Sequence, residues 1–123
     1  MDYKVTISET SRDFTAKEKI QLKDVTNAIK LDEAANGGKL VITPVAYAIL
    51  DVYNEKSDNK EYKNYIILDK DGEKYYTGSN SFWNSFKGIW DEMVGESDEW
   101  AIEVYKVDSK NYKGKQFITC SVV

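Results

Sequence analysis

The sequence predicts a mainly β domain with some helix, in which five strands form a barrel, a helix lies between the third and fourth strands, and a short helical element precedes them. Apolar side chains alternate with a period of two in several stretches after residue 38. Between residues 82 and 93 the period changes to that of an amphipathic helix. The 123 residues suffice for one small domain, which we expect to span residues 1–123.

The N-terminal third carries one clear local signal. Thr15-Ala16-Lys17-Glu18 matches a capping box, in which the Thr15 hydroxyl caps a helix and the Glu18 side chain reaches back. A short helix of about eight residues should therefore follow Thr15. The segment 23–29 fits neither period, and Asn36-Gly37-Gly38 marks the change to a β pattern.

The β pattern begins with the segment 40–53, where Pro44 marks a strand start or a bulge. The second half of this segment divides between two faces, with Ala46, Ala48, Leu50 and Val52 on one and Tyr47, Ile49, Asp51 and Tyr53 on the other. The wholly polar segment 55–61 predicts a hairpin loop, and 62–68 a second strand. Asp71-Gly72 predicts a two-residue turn into a third strand at 73–77.

A helix and two more strands should follow. The apolar face of the helix consists of Phe82, Phe86, Ile89, Trp90 and Met93. Ser79 or Ser81 can cap this helix, and Gly95 can end it. Segments 100–107 and 116–122 alternate again, and 108–115 is a polar loop. This order of elements is that of the oligonucleotide/oligosaccharide-binding (OB) barrel, although other folds share it.

Residue counts exclude several kinds of site. The chain has no histidine and one cysteine, which excludes Ser-His-Asp and Cys-His catalysis, a zinc site built from thiolates and imidazoles, and an internal disulfide. Cys120 alternates with Ile118 and Val122, as a small core residue would. The sequence also lacks a phosphate-binding loop, and Ile67 and Gly78 occupy positions where a calcium loop needs oxygen ligands. We therefore expect a non-enzyme without metal or cofactor.

Charge and aromatic residues are unevenly distributed. The net charge is −4, yet residues 89–103 hold six acidic and no basic residues, while residues 104–123 hold four lysines and one aspartate. Tyrosines interleave with lysines on the predicted strands, where a nucleic-acid base could stack on a ring while its phosphate meets a cation. Alternation places Tyr65 with Lys63 and Tyr76 with Lys74, so we expect these two tyrosines to be the more exposed ones. Some strand tyrosines must instead fill the core, because tyrosine has a high β propensity.

Three segments resemble the small single-stranded DNA-binding proteins of phages and mobile elements in Gram-positive bacteria. They are Ser11-Arg12-Asp13-Phe14-Thr15, the segment 72–93 (GEKYYTGSNSFWNSFKGIWDEM) and the segment 109–120 (SKNYKGKQFITC). The resemblance implies an OB-like fold, sequence-independent binding of single strands in replication or recombination, and a place in the bacterial host cytoplasm. Carried over by position, it points to Arg12, Tyr75, Tyr76 and the lysines of the last hairpin. The chain differs from housekeeping bacterial binding proteins because it ends without an acidic tail.

Two functional hypotheses follow. The first is non-catalytic binding of single-stranded DNA through stacking on tyrosines and lysine–phosphate contacts. The predicted interface comprises Arg12, Tyr53, Lys63, Tyr65, Lys74, Tyr75, Tyr76, Lys110, Tyr112, Lys113 and Lys115. The second is an acidic, phage-encoded interaction module that inhibits a host nucleic-acid-binding protein. Replication or recombination proteins are expected to dock on the acidic patch 91–99. The sequence leaves open whether the chain forms a homo-oligomer. No membrane partner is expected because no apolar run could span a bilayer.

Overall fold

The computed structural model describes residues 3–56, 58, 60–96, 100–108 and 114–123. Within these ranges the elements are β1 (Tyr3–Thr10), α1 (Ala16–Lys23), β2 (Ile29–Lys30), α2 (Leu31–Ala34), a 3-10 helix (Ala35–Gly37), β3 (Leu40–Ile42), β4 (Pro44–Asn54), β5 (Glu61–Asp69), β6 (Lys74–Thr77), α3 (Asn80–Met93), β7 (Ile102–Asp108) and β8 (Gln116–Val122). The prediction of a mainly β chain with some helix is confirmed.

The described strands form two sheets that are not closed into a barrel. One sheet has five strands in the order β1-β4-β5-β6-β2, and the other has three in the order β3-β7-β8. The single five-stranded barrel expected from the sequence is therefore not formed by these strands. Pro44 gives part of the reason: it begins β4 and has no N–H to donate, so the predicted strand 40–53 divides into β3 and β4, which join different sheets.

The chain divides into two compact units. The first comprises the described parts of Met1–Ile29 and Val45–Gly78, and the second comprises those of Lys30–Pro44 and Ser79–Val123. The division of the chain falls within the two-residue strand β2, since Ile29 belongs to the first unit and Lys30 to the second. The structure contains β1, β2 and a separate β3, none of which was predicted, so α3 follows the sixth of the described strands and not the third.

The N-terminal helix has the predicted capping box. The Glu18 backbone N–H donates to the Thr15 hydroxyl at 3.2 Å, and the Thr15 N–H donates to the Glu18 carboxylate at 2.9 Å. Two otherwise unpaired donors at the start of α1 are thereby satisfied. Before this helix, β1 pairs antiparallel with β4 and forms one edge of the five-stranded sheet.

The core of the first unit lies on one face of the five-stranded sheet. The predicted division of β4 between two faces is confirmed, because Ala46, Ala48, Leu50 and Val52 are all buried there. They pack in one cluster with Phe14, Leu22 and Ile66, and Tyr62, Leu68 and Tyr76 pack against that cluster. A turn is present at Asp71-Gly72, and Gly72 takes a φ of 86°, which favours glycine. The turn is longer than the two residues predicted, because β5 ends at Asp69 and β6 begins at Lys74.

The second unit is built around α3 and the last hairpin. Ser79 caps α3 as predicted, since its hydroxyl accepts from the Phe82 N–H at 3.2 Å. The helix ends before Gly95, which has a φ of 87°. Phe82 and Phe86 are fully buried, and β7 and β8 pair antiparallel. Cys120 on β8 is buried as predicted, and burial raises the pKa of its thiol to about 12.

Candidate nucleic-acid interface

An open groove of about 430 Å³ lies on the first unit, at the end of the sheet where β1, β4 and β5 are neighbours. It is lined by Lys4, Thr6, Asp51, Val52, Tyr53, Glu61, Tyr62 and Lys63. The structure therefore brings together two residues of the predicted interface, Tyr53 and Lys63. We call this surface the β1–β4–β5 groove.

Strand pairing explains how the groove is assembled. Lys4 is the register partner of Tyr53, and Thr6 is the partner of Asp51. Directly opposed side chains on an antiparallel pair have Cβ atoms about 4.5–5.5 Å apart, so an ammonium group lies within reach of the tyrosine ring. Tyr53 is half-buried, which fixes its position while part of the ring stays accessible. A ring held in this way between strands can serve as a platform for a base.

The groove contains charges of both signs. Lys63 donates to the Asp51 carboxylate, and about half of each side chain is exposed. This hydrogen bond raises the pKa of Lys63 above its ordinary value of 10.5. An exposed ion pair contributes about 0–1 kcal/mol, so a phosphate can compete with Asp51 for Lys63 at little cost. Lys4 is the second cation of the groove, and Glu61 is a second carboxylate.

Two tyrosines of the predicted interface are core residues. Tyr65 follows Lys63 on the same face of β5, as alternation predicted, but only 6% of it is exposed, so the expectation that it would be the more accessible one is wrong. Tyr75 is likewise 7% exposed. Burial raises the pKa of both phenols, and the neighbouring Asp69 carboxylate raises that of Tyr75 further. Alternation assigns a face, whereas accessibility depends on what covers that face.

Tyr76 and Lys74 share a face, as predicted, but it is the core-facing side of the sheet. Tyr76 is the register partner of Ile66, and Tyr65 is the partner of Thr77, so the two tyrosines expected to act together lie on opposite faces. Tyr76 packs against the core cluster. The Lys74 ammonium donates to the carbonyl oxygens of Gln21 and Asp24, both at 2.5 Å, and so satisfies acceptors at the end of α1.

Arg12 makes contacts within its own segment. Its guanidinium lies 4.0 Å from the centroid of the Phe14 ring, donates to the Glu18 carboxylate at 3.1 Å and donates to the Asp13 carbonyl at 2.8 Å. These contacts hold the chain at the entry to α1. About half of the Arg12 side chain is nevertheless exposed.

The remaining predicted residues belong to the last hairpin. Lys115 is exposed immediately before β8. Lys110, Tyr112 and Lys113 lie outside the described residues. In the acidic patch, Asp91, Glu92 and Glu96 are exposed, and Asp91 accepts from Lys87 at 2.6 Å, while Asp98 and Glu99 also lie outside the described residues.

Sequence reasoning missed Lys4 and Thr6 because it assigned no strand before residue 35. A signal was present, since Tyr3, Val5 and Ile7 alternate with polar residues over a segment of five. That pattern is short, and it becomes informative only once Val5 and Ile7 are seen to pack against the core cluster.

The described residues also bear on two other kinds of site. Among them, no three Cys, Asp or Glu side chains are grouped so as to hold a metal ion. None of the helices within the described ranges is both long and apolar enough to cross a membrane.

Comparison of the chain with protein-family models, with curated proteins and with solved structures finds no match.

Proposed function

We propose that this chain binds single-stranded DNA without catalysis and largely without sequence preference, through the β1–β4–β5 groove. The observation that carries the proposal is the placement of Tyr53 beside Lys4 and Lys63 in one open groove. A stacked base contributes about 1–3 kcal/mol, and an adjacent lysine neutralises a phosphate. Neither contact reads a base edge, so the groove accepts any sequence.

We also propose that the chain has an OB-like topology. It is supported by the order β4, β5, β6, α3, β7, β8, in which three strands precede a helix and two follow it. The separation of the described strands into two sheets counts against it. The groove does not depend on this topology, because it lies within one unit of the chain. A role in phage or mobile-element replication or recombination follows only from the resemblance.

The test is a fluorescence-anisotropy titration of a labelled oligo-dT strand at low salt. We expect binding with a dissociation constant below about 100 µM, and a decrease of about 0.7 log units of affinity per log unit of salt for each neutralised phosphate. Replacing Tyr53→Leu should weaken binding about 5- to 150-fold, which corresponds to the loss of one stacked base. Tyr53→Phe keeps the ring and should bind like the wild type. A wild-type protein that ignores the strand contradicts the proposal.

One observation favours a second candidate, a module that docks on a basic protein surface. Asp91 and Glu92 lie at the C-terminal end of α3, which has no basic residue in its last turn. Carboxylates are unfavourable there because the helix dipole places negative partial charge at that end. The test is capture of host proteins with nuclease present, comparing wild type with an Asp91→Asn, Glu92→Gln variant. A partner that survives nuclease and is lost with the variant supports this candidate, whereas partners that all disappear with nuclease argue against it.

A further inference from the structure

The three-stranded sheet of the second unit has one buried face and one accessible face. The buried face contains Ile102, Val104, Ile118 and Cys120. Register places the alternate residues on the other side, with Tyr105 opposite Thr119, Val107 opposite Phe117, and Val41 opposite Glu103. The Tyr105 and Ser121 hydroxyls are 2.7 Å apart, so these two side chains share this face, and the hydroxyl of Thr119, the register partner of Tyr105, donates to the Ser85 hydroxyl of α3 at 3.5 Å.

This accessible face carries two aromatic rings. Phe117 is 40% exposed, whereas the other three phenylalanines of the chain are buried. Tyr105 is half-buried, and the contact with Ser121 fixes its hydroxyl. The rings are diagonal neighbours across β7 and β8, where side chains are about 7–8 Å apart and within reach of one another.

Cations lie at the border of this aromatic face. The Lys39 ammonium is 5.8 Å from the centroid of the Tyr105 ring and 3.7 Å from the Glu103 carboxylate. Its side chain is 65% exposed, so it can leave either contact at little cost. Lys115 is exposed two positions before Phe117. Rings flanked by exposed cations match the two parts of a nucleotide, a flat base and a charged phosphate.

We infer that the accessible face of the three-stranded sheet is a second contact surface for single-stranded nucleic acid, on which a base stacks on Phe117 and a neighbouring base stacks on Tyr105, while Lys39 and Lys115 contact phosphates. The inference rests on the proposed function for the class of ligand. Of its four residues the sequence had singled out only Lys115, because the alternation of Ile118, Cys120 and Val122 marks the opposite, apolar face of β8.

The experiment uses the full chain labelled with 4-fluorophenylalanine. Its four phenylalanines give four fluorine resonances, and the Phe117→Leu variant identifies the one exposed ring. On addition of an oligo-dT strand of about 16 nucleotides, which spans an ordinary binding site, we expect the Phe117 resonance to shift. Phe117→Leu should weaken binding about 5- to 150-fold, and Phe117→Tyr should stay near the wild type.

Two further variants complete the design. Val122→Thr removes exposed apolar surface from the same strand but the opposite face, so it should leave affinity unchanged. Lys115→Gln should lower the salt dependence by about 0.7 log units per log unit of salt, a change that Phe117→Leu should not produce.

The outcomes separate the two proposals. One outcome overturns this inference and leaves the proposed function standing. In that outcome oligo-dT binds and Tyr53→Leu weakens its binding, but the Phe117 resonance does not shift and the Phe117→Leu variant binds normally. A Phe117 resonance that moves with protein concentration in the absence of DNA means that a second copy covers the face, which also overturns it. A wild-type protein that binds no strand removes both proposals.

Discussion

On the face of the five-stranded sheet that turns away from the core cluster, chemically similar residues lie in opposite environments. At the end near β1, Tyr53 and Lys63 border an open groove. Further along the same face, Tyr65, Ile67 and Tyr75 are buried. Tyr53 and Tyr65 have the same side chain and the same alternation with charged neighbours. Only Tyr53 can present its ring to a ligand, so position along the strand, and not residue type, separates a binding candidate from a core residue.

The largest expected effect is a difference in stability between variants of the buried Tyr65 and the partly exposed Tyr53. Tyr65→Ala should lower the free energy of unfolding by about 3–5 kcal/mol, because it removes a buried aromatic side chain and leaves a cavity. Tyr53→Ala should cost about 1 kcal/mol, as is usual for a partly exposed position. Urea unfolding followed by tryptophan fluorescence measures both. Equal losses in the two variants would contradict the distinction between the two halves of the face.

Much of the local structure was predictable from the sequence. The capping box at Thr15, the turn at Asp71-Gly72, the cap at Ser79 and the two faces of β4 all depend on neighbouring residues, and all are present. Local patterns fix such features because their hydrogen bonds close within a few residues. The mainly β character of the chain follows from the same patterns.

The assembly of the strands was less predictable. No sequence pattern near Pro44 predicts that β3 and β4 join different sheets, since the partners of each strand are distant in sequence. The same limit applies to the candidate site. Lys4 reaches Tyr53 only through the pairing of β1 with β4, and Tyr76 lies on the core-facing side of the sheet because its register partner is Ile66. Alternation gives each strand two faces, but only the completed structure decides which face is covered.

The next largest effect on stability should separate two lysines of neighbouring strands, Lys74 and Lys63. Lys74→Met should lower the free energy of unfolding by about 1.5–3 kcal/mol, because charged hydrogen bonds to the carbonyls of Gln21 and Asp24 are lost. Its affinity for oligo-dT should match that of the wild type.

Lys63→Met is the matched variant, since it makes the same substitution one strand away. It should change stability little, because an exposed ion pair contributes about 0–1 kcal/mol, and it should reduce the salt dependence of DNA binding by about 0.7 log units per log unit. Urea unfolding and anisotropy titrations at several salt concentrations provide the two readouts. A Lys74→Met protein that folds normally and loses DNA affinity would place Lys74 at the interface after all.

A smaller effect concerns alkaline pH. Burial raises the pKa of Tyr65 above its ordinary value of 10.0, so above pH 10 the unfolded chain loses this proton before the folded chain does. The folded state then binds more protons, and its stability falls as the pH rises, by at most about 1.4 kcal/mol per pH unit for this group. Tyr65→Phe removes this contribution, so its unfolding free energy should fall less steeply between pH 10 and 11. Parallel curves for the two proteins would show that Tyr65 titrates normally.

The smallest expected effect concerns the exposed end of the face. Asp51→Asn removes a carboxylate that pairs with Lys63. That carboxylate would repel a phosphate in the groove. At about 4 Å a unit charge in water contributes about 1 kcal/mol, so oligo-dT affinity should rise about fivefold at low salt. Glu73→Gln is the control, because it changes the net charge equally at an exposed position outside the groove. If both variants gain equally, overall charge accounts for the gain and Asp51 has no special place. If only Asp51→Asn gains affinity, and the gain disappears as salt screens the groove, the DNA strand passes within a Debye length of Lys63.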